Sequence, residues 1–323
     1  MTYYFKKITT FVLSIFLLSV AVFFVSSFAP GDPLLSYYGD RAEKMTVEER
    51  INAKESLGLN KPVYIRYSTW LTNALKGDFG ISYKYKEDVL KVIKSRTLNT
   101  VILGGISFVI VFILALLVGI LCIMYENKFL DRAISKTGTV VSCIPEFFLS
   151  LMLILLFSVS FRLLPSGGAY SVGNDSISSR IYHLILPVTS LVLSHLWYYA
   201  YMVRNRLSEE VRKDYVLLAR AKGLKKSKVL LKHCLRNVMP SYLSLMAISV
   251  PHILGGTYIV ETVFSYPGIG TLSYESARFK DYNLLMVICI LTGITVILCN
   301  IIAQIINERI DPRIKHTEVN END

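Results

Sequence analysis

The feature that most constrains this chain is a set of six apolar stretches, each long enough to cross a bilayer as one helix. They lie near residues 8–28, 100–124, 137–160, 182–203, 241–260 and 284–306, and Asp, Glu, Lys and Arg are almost absent from them. A hydrocarbon core about 30 Å thick needs about 20 apolar residues in helical conformation. In lipid every backbone N–H and C=O must be paired within the structure, which favours helices for runs of this length. Composition agrees, with 53% of 323 residues hydrophobic, 18% charged and a mean hydropathy of +0.46. A soluble domain of this length carries more charge. The expected fold class is therefore an all-α polytopic membrane protein with six transmembrane helices. Lys6 and Lys7 before the first stretch also fit a cleaved signal peptide. That stretch is long for one, however, and "SSFAPGD" is not a clean cleavage site, so it is read as a retained anchor.

The formal charge of +11 is not spread evenly. Residues 204–236 hold eleven Lys and Arg against three acids, Glu209, Glu210 and Asp214. Lys128, Arg132 and Lys136 add to the 125–136 loop, and Arg309, Arg313 and Lys315 to the tail. The segments between spans three and four and between five and six hold only Arg162, Arg180, Arg278 and Lys280. Because basic loops stay inside, both termini and the 204–236 segment are expected in the cytoplasm. The cationic excess then marks topology and lipid contact, not nucleic-acid binding. The expected organisation is a cytoplasmic N-terminus and first helix over 1–28 and a large extracytoplasmic segment over 29–99. A five-helix core follows over 100–310, containing a cytoplasmic loop at 204–240, and then a cytoplasmic tail over 311–323. Within 29–99, Thr46 and Glu49 fit a capping box and Gly58 a helix stop. Asn174-Asp175-Ser176 is a formal glycosylation sequon of low specificity.

Recognisable catalytic chemistry is missing. There is no P-loop, no HExxH and no GxSxG, and "PGIGTLS" lacks the third glycine and strand-helix setting of a dinucleotide turn. Cys122, Cys143, Cys234, Cys289 and Cys299 form no CxxC and read as small buried hydrophobes. His183, His195, His233, His252 and His316 are scattered, without a partner at ligand spacing, and read as packing residues; no metal site is expected. Glu146, after Pro145, is the exceptional acid within a span. Two readings stand for it: a group facing the bundle interior or an aqueous pathway, and a helix-end residue at the interface. "WYYAY" (197–201) fits an interfacial aromatic belt better than a substrate path. A gradient-driven carrier normally shows intramembrane acids or inverted repeats, and neither is evident, so an energy-supplying partner is favoured over a carrier or channel.

The stretch "DYVLLARAKGLKKSKVLLKH" opens with Tyr215, Leu218, Ala219 and Lys222 on one helical face. Gly223 fits a left-handed stop. Val229, Leu230, Cys234 and Leu235 then form a second apolar stripe, which Pro240 is expected to halt before the next span. Two short helices joined at a glycine make an elbow. Its small residues Ala219 and Ala221 suit close approach by another protein, whereas a lipid-surface helix has no need of them at fixed offsets.

The order Tyr215-Val216-x-x-Ala219-Arg220-Ala221-Lys222-Gly223-Leu224, then Arg236-Asn237 and Pro240, resembles the EAA loop of bacterial ABC importer permeases. With "PGDP", "LGLNKPVYIRYSTWL", "GDFGIS", "LPSGG", "VFSYPGIGTL" and "IDPRI" in order along the chain, it is similar to the B-type transmembrane subunit of the dipeptide/oligopeptide/nickel family. The EAA glutamate is replaced by Leu218, a proline common after "DY" by Asn283, and a frequent acid by Gln304. The resemblance implies a heterodimer with a C-type permease, two ATPase subunits that carry ATP and Mg, and an extracytoplasmic solute-binding protein. This chain itself would bind no cofactor and perform no catalysis. The resemblance implies ATPase coupling through Asp214, Tyr215, Ala219, Arg220, Ala221, Lys222, Gly223, Leu224, Arg236 and Pro240. Tyr266, Pro267, Gly268 and Gly270 form a candidate gate or binding-protein contact, and equally a connecting loop; Glu146 is a candidate pathway residue. Peptide import is the leading reading, with nickel or metal-chelate import by the same machinery as its alternative.

Overall fold

The computed structural model describes residues 2–28 and 32–310, with side chains for 8–28 and 32–305. Pro30 and Gly31 of "PGDP", the side chains of Lys6, Lys7 and Arg309, and Arg313, Lys315, His316 and most of "IDPRI" lie outside them. The regular structure of the described residues is helical: α1 (Thr2–Phe28), α2 (Pro33–Tyr38), α3 (Val47–Ser56), α4 (Val63–Leu75), α5 (Val89–Met124), α6 (Phe129–Ser142), α7 (Glu146–Leu153), α8 (Ile177–Val211), α9 (Asp214–Ala221), α10 (Lys226–Val229), α11 (Leu235–Val263), α12 (Ile269–Arg278) and α13 (Tyr282–Ile310). Only two isolated bridges, Ile81 with Asp88 and Ser171 with Asn174, have β character among them. Five helices are long and apolar enough to span a membrane, and α6 with α7 make a sixth crossing if that bent pair is one span.

The third stretch is not the straight span expected over 137–160. Its helix starts earlier, at Phe129, breaks after Ser142, and restarts at Glu146 with a bend of 100°. Pro145 explains the break, because it lacks an N–H and disfavours α geometry in the residue before it. Beyond Leu153 the helix continues with π geometry to Ser160. Pro240 has the opposite outcome. It does not halt the second elbow helix, since α10 passes through a π turn at Leu230–Cys234 into α11, which contains both Pro240 and Pro251. Val229, Leu230, Cys234, Val238 and Tyr242 are all buried in one core. Continuous packing outweighs the roughly 3 kcal/mol of an interior proline.

The chain forms two compact units. One comprises residues 1–100 and 267–297. Here Asp32 caps α2 through the Leu34 N–H and pairs with Arg50, over a small core of Leu34, Ala42 and Ala53. The expected capping box at Thr46 and Glu49 is present, with Glu49 N donating to Thr46 Oγ1 at 3.2 Å and Thr46 N to Glu49 Oε2 at 2.8 Å. Gly58, at φ 67°, ends α3 as expected. The buried Asp281 accepts from Ser82 Oγ at 2.5 Å and Lys84 N at 3.1 Å, fastening the "GDFGIS" loop to the start of α13. Asn283, where the resembled family often has proline, donates to Ile81 O at 3.0 Å, so its amide secures the same loop.

The other unit comprises residues 101–266 and 298–323. Its core joins Phe112, Tyr199, Val203 and Ile253 from the long helices to Val216, Val229, Leu230 and Cys234 of the elbow. The Tyr242 hydroxyl donates to Phe112 O within it. An ion pair whose members stand in the sequence only as loop charges ties α6 to α8: Arg204 Nε and Nη2 each donate at 3.0 Å to the two oxygens of buried Asp131. Not every cysteine is buried, for Cys143 lies exposed at the α6–α7 break.

Candidate functional site: the docked elbow and a polar cluster among the helices

The elbow is built as two helical arms around one turn. Residues 214–221 form α9, and Gly223 takes φ 78° as expected. Gly223 N donates to Arg220 O at 2.9 Å and Leu224 N to Ala219 O at 3.2 Å, the paired bonds of a Schellman stop. A Cβ on Gly223 would meet nothing within 4 Å, so the glycine is required by backbone conformation and not by space.

The face that packs inward differs from the expected one. Val216 is buried, Tyr215 and Ala219 lie partly buried against the same core, and Leu218 is 58% exposed. The reason is the direction of approach: α9 docks on Val216, which turns Leu217, 71% exposed, and Leu218 outward. Asp214, Arg220, Ala221, Lys222, Gly223 and Arg236 are exposed, Leu224 is partly buried, and Pro240 is partly buried inside α11. Of the two alanines expected to present a small surface, only Ala221 faces outward.

Glu210, which the sequence shows only as an acid in a basic segment, is the hub of this arrangement. It is 6% exposed. Its carboxylate accepts from the Tyr215 hydroxyl at 2.8 Å and Asn237 Nδ2 at 2.9 Å, and Lys213 Nζ lies 2.5 Å away. One carboxylate thus joins α8, α9 and α11. Burial, then the Glu210 hydrogen bond, push the Tyr215 phenol above its ordinary pKa. The second arm is fastened separately, because Lys226 Nζ donates to Ile123 O at 2.6 Å and Met124 O at 3.1 Å, capping the end of α5. Tyr215 and Asn237 stand in the sequence motif, and their shared need for an acceptor is the one clue the sequence holds to Glu210.

Glu146 begins α7 directly after the bend, and its side chain is 14% exposed. Both sequence readings keep a footing: Glu146 opens α7, and its carboxylate is mostly buried against α8 and α11. Ser194 Oγ donates to Glu146 Oε1 at 3.1 Å, and His195 Nδ1 lies 4.0 Å from the same oxygen. The histidines are not scattered here: the His195 and His252 rings are 4.9 Å apart, and the Tyr199 hydroxyl is 3.1 Å from His252 Nδ1. Gly256 makes the cluster possible, since a Cβ there would lie 2.6 Å from His195 Cε1 and 2.9 Å from Glu146 Oε1. Of the aromatic run, Tyr198 and Tyr201 are exposed as a belt requires, but Tyr199 is buried and belongs to the cluster. Among the described residues no group of three or more His, Cys, Asp or Glu is arranged to hold a metal ion.

The turn at 264–268 is tight and non-helical, with Ser265 at φ 48°, and α12 starts at Ile269. Tyr266 is fully buried; burial pushes its phenol pKa up while Arg180 opposes the shift. Gly268 and Gly270 are buried, and Pro267 is partly buried, its carbonyl accepting from Asn99 Nδ2 at 2.8 Å.

Comparison with known proteins agrees with this architecture. Residues 112–316 match the family described as binding-protein-dependent transport system inner membrane component, and residues 1–104 match the N-terminal region of such membrane components. The chain is 32% identical to the oligopeptide transport system permease protein AppB of Bacillus subtilis, over 93% of this chain and 94% of that protein. It is 31% identical to the glutathione transport system permease protein GsiC of Escherichia coli K12, over 98% and 99%. A chain of the MetNI methionine ABC transporter, solved in inward-facing conformations, shares the fold with a TM-score of 0.58 at 18% identity, covering 69% of this chain and 97% of that one. The chain is thus a multi-pass inner membrane protein and belongs to the family of binding-protein-dependent transport system inner membrane components.

Proposed function

We propose that this chain is the B-type permease subunit of an ATP-driven peptide importer, in which the α9 elbow transmits ATPase closure to the spans. The observation that carries this reading is the elbow itself. It is a rigid, capped element fused to the transmembrane core through Val216, Glu210 and Lys226, yet it leaves Leu217, Leu218 and Ala221 open beside Arg220 and Lys222. Two exposed leucines on a short helix that ends in Arg220 and Lys222 suit a hydrophobic cleft on a partner. The names of its relatives, oligopeptide and glutathione permeases, support a peptide substrate. In this assembly a C-type permease completes the pathway, two ATPase subunits bind ATP and Mg, and an extracytoplasmic binding protein delivers the peptide. This chain binds no cofactor and catalyses no reaction. Both termini and the elbow face the cytoplasm, and residues 29–99 lie outside. Domain closure of the ATPases moves the elbow as a body and rocks the spans between two states. Glu146 lies on the pathway, and Tyr266, Pro267, Gly268 and Gly270 belong to the outer gate.

Uptake of labelled peptide in cells carrying Gly223→Pro or Leu217→Arg tests this. Uptake falls to background while the variant chain still inserts and the ATPases no longer co-purify with it. Wild-type uptake by both variants would refute coupling through the elbow.

A further inference from the structure

The face of α11 that carries His252 is unlike a lipid-facing surface. Ile248, His252, Gly255 and Ile259 are all exposed along one side of the helix, with exposed Tyr198 on α8 ringing the same histidine at 6.2 Å between centroids. An ionisable side chain within a membrane helix normally turns toward protein or a water-filled cavity. Behind His252 the polar groups continue inward through Tyr199 and His195 to Ser194 and Glu146. This set therefore reaches from an accessible face of the bundle to a carboxylate that is itself not sealed off.

Its hydrogen-bond chemistry is one-sided. His195 Nδ1 is 3.0 Å from Leu191 O, and a carbonyl only accepts, so that nitrogen carries a proton and donates. Ser194 Oγ lies 3.1 Å from both Glu146 Oε1 and Leu191 O, so its single hydroxyl proton is divided between two acceptors. Among the described residues none gives a hydrogen bond to Glu146 Oε2, and no Lys or Arg lies within 4.0 Å of the carboxylate. A carboxylate this enclosed is costly without a cation beside it. The unfilled capacity at the inner end is thus acceptor, on the carboxylate oxygens of Glu146, while the paired His252 and Tyr199 keep one further acceptor and one donor between them. A primary ammonium, with three donors and no acceptor, matches that set, whereas a carboxylate end would be repelled.

We propose that Glu146, with His252 at its mouth and Tyr199 behind it, is a transit site for an ammonium group of the transported peptide, either its amino terminus or a lysine side chain. This inference rests on the peptide-import reading above. Gly256 has a specific part in it, because only a residue without a Cβ lets the carboxylate and His195 meet over α11.

The test uses the complete transporter, with its partner permease, ATPases and binding protein, in proteoliposomes. Maximal uptake is measured for tri-alanine, whose only cation is its amino terminus, and for Ala-Lys-Ala. Glu146→Gln lowers maximal uptake of tri-alanine at least tenfold, while binding-protein-stimulated ATP hydrolysis persists and Glu146→Asp restores most of the uptake. A loss confined to Ala-Lys-Ala assigns the site to the side-chain ammonium. Unchanged uptake of both peptides by Glu146→Gln overturns the proposal. So does loss of assembly or ATP hydrolysis in that variant, which would make the missing cation a structural one from a neighbouring subunit. A wild-type transporter that hydrolyses ATP but imports neither peptide would instead refute the peptide reading, and this inference with it.

Discussion

Replacing Glu210 by Ala separates a docked elbow from a merely tethered one. The carboxylate is almost fully buried and accepts from Tyr215 and Asn237 at 2.8 and 2.9 Å. A hydrogen bond to a charged acceptor contributes about 1.5–3 kcal/mol, and the donors freed by its loss, partly buried Tyr215 and exposed Asn237, regain water in part. The Lys213 pair adds less than about 1 kcal/mol, because the lysine side chain is 57% exposed and screened by solvent. Loss of the hub therefore weakens docking of α9 by about 2–4 kcal/mol, or roughly 30- to 700-fold in the population of the undocked elbow. Trypsin reads this directly at Arg220 and Lys222 in membranes opened to the elbow side, where slow cleavage tracks the open population. Glu210→Ala speeds cleavage by at least about 30-fold, whereas Glu209→Ala, at an exposed neighbour, leaves it unchanged. In a double-mutant cycle, Tyr215→Phe has a large effect alone and little in the Glu210→Ala background. Cleavage within twofold of wild type, or full additivity of the two substitutions, would show that Glu210 does not hold the elbow.

Three further outcomes follow from other contacts. Gly256→Ala forces a Cβ into His195 and Glu146 and costs about 1–3 kcal/mol by overpacking. The adjacent Gly255→Ala meets nothing within 4 Å and leaves the thermal midpoint of the purified chain unchanged or higher. Arg204→Lys keeps the charge but loses the fork on Asp131, so the midpoint falls by more than for Arg206→Lys, whose side chain is mostly exposed. The third outcome concerns pH. Burial works against the charge on Glu275, but hydrogen bonds from Lys84 Nζ and Tyr85 outweigh it and hold its pKa below the ordinary carboxylate value. A depressed carboxylate pKa gives stability that is present above the unfolded value of about 4.3 and lost as pH falls through the folded one. Protease resistance of the loop at residues 78–88 thus drops below about pH 4, and Glu275→Gln removes that step; with the pair a third exposed, the effect is about 1 kcal/mol or less. The same hydrogen bond, after burial, pushes the Tyr85 phenol up to about 12.

Features carried by neighbouring residues are legible in the chain itself. Apolar runs announce helices because a bilayer leaves the backbone no other partner; five of the six stretches are continuous helices, and the third is a helix pair broken at Pro145. Thr46 with Glu49 and Gly223 act within one or two turns of chain, so their cap and stop can be read residue by residue. The elbow's inward face cannot, because 3.6-residue periodicity marks an apolar stripe but not which edge meets the core. Val216 goes inward and Leu218 outward on the strength of contacts with α5, α8 and α11. Proline shows the same limit: Pro145 breaks its helix and Pro240 does not, although each removes one donor. Only packing on both sides of Pro240 decides the difference. Glu146, His195 and His252 stand tens of residues apart on three helices, and no spacing rule joins them. By itself the sequence determined the helices, their caps and the family motif, since those depend on local backbone chemistry. The polar cluster and the Glu210 hub were decided by tertiary structure, which alone brings distant side chains within hydrogen-bond reach.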